Sequence, residues 1–136
     1  MFRVLLSLVL LIAIPACGPV EPKDEVPVAP EAIDTRDGTF HLLLEAVPQP
    51  YVAGRDSALM VTVESEGEVD TTATMTVQPW MPDHDHGISP GPTVTATEDG
   101  RLQADWMFSM PGRWELTLDI DGEAGSDSVV VAYDVD

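Results

Sequence analysis

Between Trp80 and Trp114 the chain gathers two of its three histidines and three of its six methionines. His84 and His86 stand one residue apart. In extended chain such side chains point the same way, with Cα atoms roughly 7 Å apart at about 3.3 Å per residue. Two neutral imidazoles so placed can close on one metal ion. Thioethers from Met81 and Met110 would complete a soft, uncharged ligand set, and imidazole with thioether selects copper, in particular Cu(I), over zinc or calcium. Each signal alone has a plain alternative, since a methionine in a strand-end turn commonly fills a packing gap. The metal reading rests on their joint occurrence. Asp83 and Asp85 flank the histidines and keep the loop soluble, Met107 is a weaker ligand candidate, and His41 reads as structural.

To bring Met110 to the histidines the chain must fold as strands with the two segments at one end. The pattern from residue 39 onward is all-β. Thr39–Glu45, Ser57–Glu64, Ala73–Val77 and Arg101–Phe108 alternate apolar and polar residues with the period of a half-buried strand. Thr93–Thr97, the run holding Trp114, Leu116, Leu118 and Ile120, and Ser128–Asp134 complete a set of about seven. No helical periodicity intervenes, so the expected architecture is an immunoglobulin-like β-sandwich. The histidine loop then follows the third strand, and Met110 lies in the turn between the fifth and sixth.

The N-terminus divides off by composition. Residues 1–16 carry a single charge, Arg3, ahead of an apolar run from Val4 to Ile14. That run is short of the roughly 20 residues a membrane-spanning helix needs and reads as a signal-peptide core. Cys17 is the only cysteine. After Ile14-Pro15-Ala16 and before Gly18 it resembles a bacterial lipobox, which implies lipidation of Cys17, an anchor in a membrane and a protein facing the periplasm or exterior. Ordinary cleavage near Ala16 is the alternative. With Cys17 lipidated the domain has no thiol, which excludes disulfide staples, cysteine catalysis and thiolate-ligated blue copper. Residues 17–38, with prolines at 19, 22, 27 and 30, form a Pro-rich acidic tether ahead of a domain at 39–136.

The formal charge is −18, and removal of residues 1–16 takes away Arg3 to leave −19. Such a field repels phosphate, so nucleic acid is not an expected partner. It concentrates cations without choosing among them. No nucleophile stands with a histidine and a carboxylate in a recognisable catalytic motif, so an enzyme is not expected.

Met81-Pro82-x-His84-x-His86-Gly87, followed by Phe108-x-Met110-x-Gly112-x-Trp114-x-Leu116, resembles the YtkA-like family of exported β-sandwich domains, related in outline to FixH-type proteins. The resemblance covers about residues 38 to 134. It implies an immunoglobulin-like fold and copper handling, with Met81, His84, His86 and Met110 as ligands, a copper-accepting protein as partner, and a place in respiratory oxidase assembly. Where the family often carries a methionine before the first histidine this chain has Asp83, which leaves the ligand count and oxidation state open. The competing reading is an interaction lipoprotein whose motif residues only shape loops.

Overall fold

The computed structural model describes residues 32–136. The expected signal peptide, Cys17 and the first part of the tether lie outside the described residues. Within them the chain forms ten strands and no helix. These are β1 (Ala32–Asp34), β2 (His41–Val47), β3 (Asp56–Ser65), β4 (Glu68–Val69) and β5 (Thr74–Met81). There follow β6 (His86–Gly87), β7 (Thr93–Ala96), β8 (Leu102–Met107), β9 (Gly112–Gly122) and β10 (Gly125–Val135).

One sheet runs β1-β2-β3-β8-β7, with β4 folded back on the end of β3, and the other runs β10-β9-β5-β6. Every strand pairing in both sheets is antiparallel. The seven strands expected from alternation are all present, as β2, β3, β5, β7, β8, β9 and β10. The three additional strands are two or three residues long, too short to carry a period. Of these, β1 lies inside the segment assigned to the tether. It pairs with β2 and sets Asp34 opposite His41, whose Nδ1 lies 2.7 Å from the Asp34 carboxylate.

The inner faces of the two sheets make the core. Leu59, Val61 and Val63 of β3 and Leu102, Ala104 and Trp106 of β8 are buried on one side. Met75, Val77 and Met81 of β5 meet Trp114, Leu116, Leu118 and Ile120 of β9 on the other. Truncating one such side chain to alanine costs about 2–5 kcal/mol, so this layer sets the fold without any disulfide. The β2–β3 loop closes the side of the sandwich. Tyr51 bridges to Val135, and its hydroxyl donates to the Ala58 carbonyl at 2.8 Å.

Candidate metal centre

Strand β5 ends in a hairpin. Pairing of Trp80 with Gly87 and of Met81 with His86 returns the chain as β6. Four residues, Pro82-Asp83-His84-Asp85, make the loop, and the Met81 carbonyl accepts from both the His84 and Asp85 N–H groups at 3.2 and 2.9 Å. Pro82 presets the backbone angle for such a turn, and Asp85 takes the left-handed conformation at φ 55°, which aspartate tolerates better than most residues. The two histidines are therefore not in extended chain, as their spacing alone suggests. His84 sits exposed on the turn, and His86 sits in the strand beyond it. Their ring centroids are nevertheless 6.1 Å apart, because the turn rather than the pleat brings them together.

Cross-strand partners project to one face of a sheet. Met81 is only 2% exposed, so its partner His86 also faces the interior. There the imidazole meets the Trp114 ring edge-to-face, with centroids 5.4 Å apart. His86 Nδ1 lies 2.9 Å from the Gly87 carbonyl oxygen. A carbonyl only accepts, so Nδ1 carries the proton and Nε2 presents its lone pair. Nε2 is buried and has no hydrogen-bond partner among the described residues. An unpaired buried acceptor costs about 1–3 kcal/mol, and a backbone carbonyl on the other ring nitrogen is the usual device that orients a metal-binding imidazole.

The second segment is the turn from β8 into β9. Its residue Met110 is partly buried against the core, and the Trp114 indole N–H donates to the Met110 carbonyl at 3.1 Å. Gly112 adopts φ 131°, and a Cβ there would run into the Met81 methyl group. The start of β9 and the end of β5 thus touch through a position that has room only for glycine. Met107 points outward at 47% exposure, away from this contact.

The structure gathers Met81, His84 and His86 in one hairpin, and joins Met110 to it through Trp114. Met81 belongs to the end of β5 and to the core, not to the histidine loop that follows the strand. Among the described residues no three His, Cys, Asp or Glu side chains cluster so as to hold a metal ion. A site here therefore depends on thioethers beside the imidazoles, a donor set that suits a soft ion. Gly112 and Trp114 stand in the motif that carries the family resemblance, but spacing alone assigns neither of them a contact with the candidate ligands. Trp114 reads as one more buried residue of a strand, and only the four-residue separation of Met110 and Trp114 hints at the clamp.

No curated protein matches the chain. Among solved structures, a DUF4426 family protein from Pseudomonas aeruginosa PAO1 is similar in fold, at TM-score 0.59 and 10% identity, covering 77% of this chain and 96% of its own. The Lin-41 filamin domain aligns at TM-score 0.49 and 16% identity, over 68% of this chain and 91% of its own. FetP from uropathogenic Escherichia coli strain F11 aligns at TM-score 0.49 and 13% identity, over 78% and 93%. The family model described as YtkA-like matches residues 35–119, a span that includes the β5–β6 hairpin, the β8–β9 turn and Trp114. With most of its length so matched, the chain belongs to the YtkA-like family.

Proposed function

We propose that this domain binds one copper ion, as Cu(I), at the end of the sandwich where the β5–β6 hairpin meets the β8–β9 turn, and passes it to an acceptor protein. The observation that carries the reading is the state of His86. Its Nδ1–H is committed to the Gly87 carbonyl, and its Nε2 lone pair is buried beside Met81 without a partner. His84 on the turn supplies a second imidazole from the solvent side, and Met81 and Met110 supply thioethers. The inner ligands hold the ion, while the exposed one is open to exchange. That division suits a carrier rather than an enzyme. Attachment through a lipidated Cys17 would keep the carrier at a membrane surface, facing the periplasm or exterior, within reach of an acceptor such as an assembling respiratory oxidase.

One anaerobic competition titration tests this. The wild-type protein should take up one equivalent of Cu(I) in preference to Zn(II), and the His84→Ala/His86→Ala variant should lose that uptake while keeping its β-sheet spectrum. Uptake unchanged in the double variant refutes the assignment. A second reading, an interaction domain without metal, draws support from the burial of Met81 among core side chains. It requires that apo and copper-treated protein melt at the same temperature.

A further inference from the structure

We infer that Trp114 is the positioning residue of this site, holding the two ligand-bearing segments in register before any ion arrives. The inference rests on the copper reading above. It starts from an indole that is fully buried in β9 yet makes a directed contact with each segment. Toward the β8–β9 turn, its N–H donates to the Met110 carbonyl at 3.1 Å, which fixes the backbone carrying that thioether. Toward the β5–β6 hairpin, its ring meets His86 at 5.4 Å and an interplanar angle of 74°. Behind it, Phe108 closes on the same ring at 5.3 Å, so the indole has no room to swing.

Two observations make this more than ordinary core packing. The indole N–H serves a turn rather than a strand ladder, at the β8–β9 turn that carries the candidate ligand Met110. In addition, the imidazole it meets has its own ring orientation set from the other side by the Gly87 carbonyl. His86 is thus held at its Nδ1 edge by β6 and along its ring by β9. A residue that only filled volume would need neither the donor nor this alignment. Fixing both ligands in advance lowers the ordering cost of capture, so the indole acts on affinity through the ligands without touching the ion.

Trp114→Phe keeps an aromatic ring in the core while deleting the donor together with the five-membered half of the indole. A released hydrogen bond of this kind should lower Cu(I) affinity about tenfold in a competition titration. In the apo variant the Met110 methyl resonance should broaden, which loss of general stability alone would not produce at a temperature well below unfolding. A wild-type measurement stands independent of whether the variant folds. On titration with Cu(I) alone, the Trp114 indole N–H resonance should move in step with His86, reach its end point at one equivalent, and shift further than the indoles of Trp80 and Trp106. Affinity equal to wild type in Trp114→Phe, or a Trp114 indole that stays put while the site fills, overturns the inference and leaves the copper reading intact. Failure of the wild-type protein to take up Cu(I) overturns both.

Discussion

Replacing His86 by phenylalanine separates a ligand from a structural residue. In the apo protein the buried, unpaired Nε2 is a liability of about 1–3 kcal/mol, and removing it recovers that amount. The exposed bond from Nδ1–H to the Gly87 carbonyl is lost in exchange, forfeiting about 0.5–1.5 kcal/mol. Phenylalanine keeps the edge-to-face contact with Trp114, so no cavity opens. The net change lies between about −0.5 and +2.5 kcal/mol, centred near +1 in favour of the variant. For a domain of this size that corresponds to a melting temperature higher by about 5 °C, read by circular dichroism on the apo protein. The same variant should lose Cu(I) uptake in the competition titration. A residue kept for stability does the reverse: a fall of more than about 5 °C in His86→Phe, with uptake preserved, would refute the reasoning.

Other expectations follow from neighbouring contacts. Gly112→Ala forces a side chain into a positive-φ position and against the Met81 methyl, and should cost about 1–3 kcal/mol in denaturant unfolding while also weakening Cu(I) binding. Met110→Leu conserves volume at a partly buried site, so it should cost less than about 1.5 kcal/mol while lowering Cu(I) affinity; a large stability loss at unchanged affinity marks the residue as core. The Asp70 carboxylate accepts from the Thr72 hydroxyl and from the Glu123 and Thr72 N–H groups, which hold its acidity below the ordinary aspartate range. A depressed folded-state value gives stability that is present above about pH 4 and is lost as pH falls through the folded value. Asp70→Asn should therefore melt below wild type at pH 7, and the gap should narrow on acidification below about pH 4; a gap that does not narrow contradicts the assignment.

Strand alternation made most of the fold legible. Leu102, Ala104 and Trp106 in β8 and Trp114, Leu116, Leu118 and Ile120 in β9 are inward in the structure, as their spacing requires. The short strands were not legible, because two residues such as His86-Gly87 carry no period. They become a strand only by pairing with Trp80 and Met81. That pairing decides the site. It turns His86 inward and places Met81 in the core, whereas spacing alone leaves both histidines side by side on open chain. The carbonyl that sets the His86 tautomer and the indole that holds Met110 are near neighbours in sequence and fall within the quoted motifs, but spacing does not say which way the side chains turn. The β1 strand was hidden for a related reason. Ala-Ile-Asp in a Pro-rich acidic stretch has linker composition and acquires order from the edge of β2.

Six rings succeed one another through the domain. Tyr133, Tyr51, Phe108, Trp114, His86 and His84 lie at successive centroid separations of 5.1, 5.2, 5.3, 5.4 and 6.1 Å. The series starts at the last strand and finishes at an exposed loop tip, joining the candidate site to the core. By mass action, cargo held by the folded state alone at a hundredfold above its dissociation constant adds about 2.7 kcal/mol against unfolding. On the copper reading the metal-free domain is then the more readily unfolded and proteolysed form, and its abundance would track metal supply with no dedicated sensor.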